Sequence, residues 1–440
     1  MRRREFLGTL LATAAQAQTA KPNIVFVLAD DLGWAELGAY GNKFNSTPHL
    51  DRLAAEGLRF THAYAAAPVC SPMRASFMTG QAPARVGITD YLRADDSNHL
   101  SPKLPTLAKM LREGGYRTGL IGKWHLMGDY RTRPGDPKLH GFDEVICSEQ
   151  SYIGPGYYWH PYKHLAGLAS RTPGEYLTDR LNQEAVDFID RNAGGGKPFF
   201  LYLAHYAPHT RLDGKPEMVK KYAARPEAGK NRNNPQLAAM LESIDEGVGM
   251  IVDALEKRKL AQNTLVIFCS DNGGETNVTT NTGLRGGKSM LYEGGIRVPL
   301  VARWKGRIPA GAVSQEPVSS IDFYPTLLDL AGVRLPKGHV VDGVSLAGIF
   351  RKPAAKLKPR DLAWYYPLEK DHFLGGKSAV AIRDRRWKMI EFLQTGEKQL
   401  FDLQADPGEE HNVAAEQPRV LETMSARMDA WRARTVRQAP

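Results

Sequence analysis

Cysteine is scarce in this sequence: Cys70, Cys147 and Cys269 are the three in a chain of 440 residues. That number and scatter exclude a disulfide framework, and no Cys-x-x-Cys or Cys/His spacing offers a zinc site. Cys269, inside the apolar run TLVIFCSDN, reads as a buried structural thiol. There is no internal repeat and no low-complexity segment. Nor is any apolar run long enough to cross a bilayer. What the chain does have is bulk. At 440 residues and 42% hydrophobic content, it can bury a full core and divide into two domains.

The sequence opens MRRREFLGTLLATAAQAQTA. Three arginines precede a short apolar run ending in small residues, with an Ala-x-Ala site at Ala15–Gln16–Ala17. This is the layout of an export leader over residues 1–17. Arg3-Arg4-x-Phe6-Leu7 also resembles a twin-arginine signal, the bacterial route for folded proteins; an ordinary secretory leader is the other reading. Both send the mature chain to the periplasm or beyond. Removing the leader's three arginines and one glutamate takes the formal charge from +10 to about +8. A basic exported protein suits an anionic substrate or surface, and neither a nucleic-acid partner nor a membrane span is expected.

Four apolar runs end in polar residues: NIVFVLADD into Asp30 and Asp31, TGLIGKWH into Lys123 and His125, PFFLYLAHYAPH into His205 and His209, and TLVIFCSDN into Asp271 and Asn272. Short apolar stretches of this kind read as strands buried on both faces of a parallel sheet. Helical patterns separate them. LPTLAKMLREGG has proline near its start and glycines past its end. From Pro235 onward, Leu237, Leu241, Ile244, Val248, Ile251 and Leu255 recur at three- and four-residue steps and make one apolar helix face. The expectation is an α/β fold with a mostly parallel central sheet flanked by helices over residues 18–350. Ligands bind beyond the carboxyl ends of such strands, so the four polar endings should converge. After the segment RKPAAKLKPR, residues 351–440 read as a smaller α+β domain. Its RRWKMIEFL and EKQLFDL pair in an antiparallel sheet, and a helix follows over PRVLETMSARMDAWRAR.

Asp30, Asp31, Asp271 and Asn272 offer hard oxygen ligands, a set that favours calcium or magnesium over zinc. Taken singly, an Asp-Asp pair at a strand end is more often a helix cap or surface turn, and Asp-Asn-Gly-Gly a glycine-rich turn; the two together, on neighbouring strands, favour a metal. Lys123 and His125, alternating with Trp124 on a strand, would share a face. A cation beside an imidazole suits an anionic centre; a solvated strand end is the plain alternative. His205 and His209 also share a face if that segment is extended, and His205 could simply pack against the sheet. Lys288, on the glycine-rich loop GLRGGKSMLYEGG, could reach an anion, as could Arg285.

Cys70–Ser71–Pro72–Met73–Arg74 matches the Cys-x-Pro-x-Arg signature of the type I sulfatases, members of the alkaline-phosphatase-like superfamily. GYRTGLIGKWHLMG, from Gly115 to Gly128, resembles that family's second signature. LADDLGW, APH, SDNGG and GLRGGK follow in the family's order, and FDLQADPGEEHNVA is similar to its ending. The resemblance covers nearly the whole mature chain.

It implies that Cys70 is oxidised to formylglycine by a separate formylglycine-generating enzyme. The aldehyde hydrates to a geminal diol: one hydroxyl takes the sulfuryl group, and deprotonating the other expels sulfate and restores the aldehyde. By the same resemblance Asp30, Asp31, residue 70, Asp271 and Asn272 surround one calcium ion. Arg74 fixes the hydrate, Lys123 and Lys288 hold sulfate oxygens, and His125 takes the proton from the second hydroxyl. His209, preceded by Pro208 as in the family's motif, assists the leaving group. The expected activity is hydrolysis of a sulfated carbohydrate or small sulfate ester. The alternatives are a phosphonate monoester or phosphodiester hydrolase of the same superfamily, and a non-catalytic protein that binds sulfated glycans. For specificity the candidate is YIGPGYYWHPYKH, Tyr152 to His164, whose rings could stack on a sugar or form a plain packed loop.

Overall fold

In chain order the strands begin with β1 (Asn23–Ala29), β2 (Leu58–Phe60), β3 (Ala63–Tyr64), β4 (Arg117–Gly122) and β5 (Glu144–Ile146). They continue with β6 (Phe199–Ala204), β7 (Thr264–Ser270), β8 (Leu300–Arg303), β9 (Ala312–Ser314) and β10 (Val318–Ser319). The last four are β11 (Leu362–Tyr366), β12 (Ala379–Arg383), β13 (Trp387–Phe392) and β14 (Lys398–Asp402). These elements come from a computed structural model that describes residues 21–146, 157–162, 165 and 168–436. The leader, its cleavage site and Cys147 lie outside the described residues.

The eight-stranded sheet has the order β5-β4-β6-β1-β7-β8-β2-β9. Its first five strands run parallel, and β8 is antiparallel to both of its neighbours. The four apolar runs of the sequence are β1, β4, β6 and β7, side by side in the middle. Alternate residues serve opposite faces. Ile24, Phe26, Leu28, Phe200 and Tyr202 pack with Phe77 and Phe323 on one side. Val25, Val27, Leu201 and Leu203 meet Ile244, Val248, Ile251 and Leu255 on the other. Those last four belong to the helix Pro235–Lys257, whose N-terminus is capped by the Asn234 side chain. Each such buried aliphatic side chain stabilises the fold by about 1.5–3 kcal/mol. No helix among the described residues is long and apolar enough to cross a membrane.

The stretch around Cys70 is a helix, Cys70–Thr79, with all ten residues buried. It stops at Gly80, whose φ of +67° is left-handed; a Cβ there would lie 2.8 Å from the Tyr324 ring. The C-terminal sheet is antiparallel, in the order β11-β12-β13-β14. RRWKMIEFL and EKQLFDL supply β13 and β14; the sequence reading did not include β11 and β12. One face, with Trp364, Tyr366, Ala381 and Phe401, packs on Tyr64, Val69, Leu291 and Ile296 of the preceding part. The other is covered by Met424, Met428 and Trp431 of the helix Pro418–Thr435.

Candidate active site

Asn23 to Ala29 pair residue for residue with Thr264 to Ser270, so Asp30, Asp31 and Asp271 leave the sheet at the same level. Backbone bonds continue past the strands: Asp271 N donates to Ala29 O at 3.2 Å, Asp30 N to Ala207 O at 3.1 Å and Lys123 N to Ala204 O at 2.7 Å. The four endings do converge. One carboxylate oxygen from each of Asp30, Asp31 and Asp271 lies within 4.8 Å of the others.

Three cations balance these three acids. Arg74, one turn after Cys70 on the same helix face, donates to Asp271 Oδ2 from Nη2 at 2.7 Å and Nε at 3.0 Å. Its Nη1 reaches the Lys123 carbonyl at 3.0 Å. Lys123 Nζ lies 2.5 Å from Asp30 Oδ2, and Lys288 Nζ 2.6 Å from Asp31 Oδ2. All six side chains are buried. Burial and the Asp271 charge hold Asp30 well above the usual carboxylate range. Burial also pushes Asp31 upward, but the Lys288 ammonium outweighs it and leaves that carboxyl lowered. Asp271 is lowered too, with Arg74 overcoming its burial. Packing the three acids together leaves one reluctant to ionise even though three cations match them in number.

The oxygen donors left over in this cluster fit a divalent cation. Asp30 Oδ1 and Asn272 Oδ1 are buried without a hydrogen-bond partner among the described residues, and buried acceptors are ordinarily satisfied. Asn272 Nδ2 donates to Asp31 Oδ1 at 2.8 Å, which leaves its carbonyl oxygen as the ligand end. The donors are all oxygen, the set of a hard ion.

Of the three acids Asp30 lines a cavity of about 380 Å3, together with Cys70, Lys123, His125, His209 and Lys288. Cys70 is 3% exposed. The expected strand position of Lys123 and His125 is corrected by the structure. β4 stops at Gly122, whose φ is +98° and where a Cβ would lie 2.0 Å from Ala204 O, and His125 itself has a φ of +56°. A turned segment, not strand alternation, brings both side chains to the cavity while Trp124 is buried and donates to Gly135 O at 2.8 Å. His125 Nε2 lies 2.8 Å from Leu92 O. A carbonyl only accepts, so Nε2 carries the proton and Nδ1 is the basic nitrogen.

His209 lines the cavity and His205 does not. His205 follows the end of β6 and is fully buried, so the two histidines do not share a site. His209 Nδ1 bonds the Thr210 carbonyl, and Nε2 lies 3.1 Å from Lys288 Nζ. The lysine can only donate; His209 is therefore the neutral Nδ1–H tautomer. Burial, then Lys288, push its pKa down to about 3. Arg285 turns away, with Nη1 2.9 Å from Glu409 O. Cys269 is a buried thiol pushed upward by burial, as expected.

The remaining cavity wall was not anticipated: Tyr91 to Ala94, Tyr130, Tyr206, Thr210, Glu275, His372 and Phe373. No motif marks them. Of Tyr152–His164, Tyr157–Tyr162 are described and pack elsewhere. Tyr158 is buried, its hydroxyl donating to Tyr206 O and His209 O at 2.9 and 3.1 Å, and Trp159 meets Tyr176 at 4.9 Å. The described part buttresses the His209 turn.

Such a sheet, with an acidic cluster and paired cations at one edge beneath a buried Cys-x-Pro-x-Arg helix, defines the alkaline-phosphatase-like class of folds. The chain belongs to the sulfatase family: residues 22–333 match its family model, and residues 286–434 match that of the N-sulphoglucosamine sulphohydrolase C-terminal region. It is 36% identical to N-acetylgalactosamine-6-sulfatase of Canis lupus familiaris over 357 residues, 74% of this chain and 65% of that protein. It therefore matches slightly less than two thirds of that relative's length. Identity to the steryl-sulfatase of Mus musculus is 32%, covering 95% of this chain and 83% of the relative. Among solved structures, Ps i-CgsB in complex with k-i-k-neocarrahexaose superposes with a TM-score of 0.84 and 34% identity, covering 95% of this chain and 94% of that one.

Proposed function

We propose that this chain is an exported sulfatase that hydrolyses sulfate esters of carbohydrates to alcohol and inorganic sulfate. The observation that carries the reading is Cys70, first residue of a buried helix, facing the same cavity as Asp30, Lys123, His125, His209 and Lys288. Family membership and the hexaose-bound relative support the reaction and the carbohydrate. The leader over residues 1–17, with its paired arginines, supports export to the periplasm or beyond.

Asp30, Asp31, Asp271, Asn272 and residue 70 would hold one calcium ion. When bound, the ion would supply a fixed double charge that acidifies a hydroxyl and draws electron density from a sulfate oxygen. As formylglycine, residue 70 would supply a hydrated aldehyde that accepts the sulfuryl group and can release it again.

The chain's own residues do the rest. Lys123 and Lys288 line the cavity beside Asp30 and Asp31 and would pair with sulfate oxygens. Arg74 keeps Asp271 ionised and bridges it to the Lys123 backbone. His125, held through Nε2, presents Nδ1 to take the proton from the second hydroxyl. His209 supports the leaving oxygen: its Nε2 accepts from Lys288 at 3.1 Å, and it can pass a proton to that oxygen only after Nε2 has itself taken one up along this contact. An alcohol leaves poorly, so this general-acid help amounts to about a hundredfold or more.

Peptide mass spectrometry of the Pro68–Arg74 region, after co-expression with a formylglycine-generating enzyme, should show the thiol sulfur replaced. Cys70→Ala should abolish aryl sulfate turnover while leaving the fold intact. A Cys70→Ala protein with full activity would falsify the mechanism; faster turnover of a matched phosphodiester would move the activity to phosphorus.

A further inference from the structure

The outer end of the cavity carries side chains that sulfate release leaves unused. Tyr91 and Arg93 lie on one segment, His372 and Phe373 on a loop between β11 and β12. The Arg93 guanidinium lies 4.4 Å over the Tyr91 ring. His372 meets Tyr91 edge-on at 5.8 Å, and Phe373 stacks on His372 at 4.4 Å. The result is a ladder of four planar groups along the cavity mouth.

Two of its rungs face water. Phe373 is 80% exposed, the most exposed large hydrophobic side chain among the described residues. An aromatic ring held open at a polar cleft is a platform for the apolar face of a sugar. Arg93 is 52% exposed, with Asp90 Oδ2 3.4 Å from its Nη2. That contact is long and uses one N–H of the guanidinium, which has five donors in all, so Arg93 can also bind an oxyanion on a ligand.

The ladder is also held in position. His372 N donates to Gly376 O at 2.7 Å, and Leu374 N to His372 Nδ1 at 3.1 Å. Gly376 presses on Ser289, next to Lys288; a Cβ there would sit 2.1 Å from the Ser289 carbonyl oxygen. Elsewhere on the cavity lining, Thr210 donates to Glu275 at 2.6 Å. A carboxylate on that wall accepts sugar hydroxyls and repels a second anion, which directs an added negative charge to the Arg93 side.

We propose that this ladder is a second subsite: it receives the sugar next to the one bearing the reacting sulfate, and Arg93 binds an acidic group on it. The inference rests on the sulfatase reading, and it narrows the substrate to saccharide chains carrying more than one anionic group. That group is an oxyanion, either sulfate or carboxylate.

The test uses three disaccharides with the same sulfated terminal ring and a neighbouring ring that is neutral, sulfated or a uronic acid. Binding to the Cys70→Ala protein is measured by calorimetry, and turnover with matured protein. An acidic neighbour should tighten binding about tenfold or more, the scale of one charge-assisted hydrogen bond, and lower KM rather than raise kcat. The better of the two acidic forms identifies the group. Arg93→Ala should bring all three ligands within about twofold of one another. Phe373→Ala should weaken all three and preserve the acidic preference. Absence of that preference in the parent protein, its survival in Arg93→Ala, or no disaccharide binding at all overturns the proposal. If binding follows the expected pattern but no ester releases sulfate, the subsite stands and the sulfatase reading falls.

Discussion

Ser71, the residue after Cys70, accepts a hydrogen bond from the Leu92 backbone N–H at 3.0 Å. The Leu92 carbonyl in turn orients His125 at 2.8 Å. One residue thus ties the helix of the proposed nucleophile to the proposed base. Ser71→Ala is expected to lower stability by about 1 kcal/mol and kcat by about tenfold, with KM changed less than twofold. Steady-state kinetics on an aryl sulfate and urea unfolding measure both. An unchanged kcat would reduce the tie to packing.

Arg74 is buried and bonds both Asp271 and the Lys123 carbonyl. Arg74→Met strands the Asp271 carboxylate, which should cost about 3–5 kcal/mol in denaturant unfolding. Arg74→Lys restores charge without the planar fork. It should recover part of the stability and little of the activity.

Cation binding should appear in thermal unfolding before any activity is assayed. A chelator is expected to lower Tm, and calcium at a hundred times its Kd to restore about 2.7 kcal/mol. Asp31→Asn should blunt the response. A transition indifferent to both chelator and calcium would rule out the oxygen cage.

Acid sensitivity should begin near neutrality. Burial pushes His205 down to about 3 and His140 down to about 4, whereas unfolded histidine titrates near 6.5. The unfolded chain therefore binds these protons first. Stability should fall as pH drops from about 6.5 toward 3–4, by up to about 1.4 kcal/mol per pH unit for each histidine. Unfolding free energy measured across that window should have a slope smaller by about one proton in His205→Leu.

Lys388 is wholly buried between Glu293 at 3.1 Å and Glu409 at 2.8 Å. Glu293 opens the short helix Glu293–Ile296, where Gly295 O accepts Gly273 N at 2.9 Å and Gly294 N donates to Arg285 O at 2.8 Å. The C-terminal sheet thereby props both the Asn272 turn and the Lys288 loop. Lys388→Met should destabilise by about 3–5 kcal/mol, and calcium titrations should show weaker cation affinity.

The convergence of Asp30, Lys123, His209 and Asp271 was legible in the sequence because each follows an apolar run. Parallel pairing sends all four run ends to one sheet edge. What failed was local geometry. Gly122 ends β4 early, so strand alternation gave the right destination for His125 by the wrong route. His205 and His209 were separable only through the family's Pro-His pattern, since the turn between them depends on tertiary contacts. Tyr91, Arg93, His372 and Phe373 were invisible because their meeting depends on the packing of Gly376 against Ser289, which no spacing records.

Every residue of the Cys70–Thr79 helix is buried, and this has a consequence for timing. An oxidising enzyme that grips the flanking chain would find Pro72 and Arg74 already enclosed. The proposed conversion of residue 70 would therefore have to come during or soon after synthesis, while this segment is still unfolded. On that proposal a molecule that closes too quickly would keep its thiol, and slow local closure would favour a larger converted fraction.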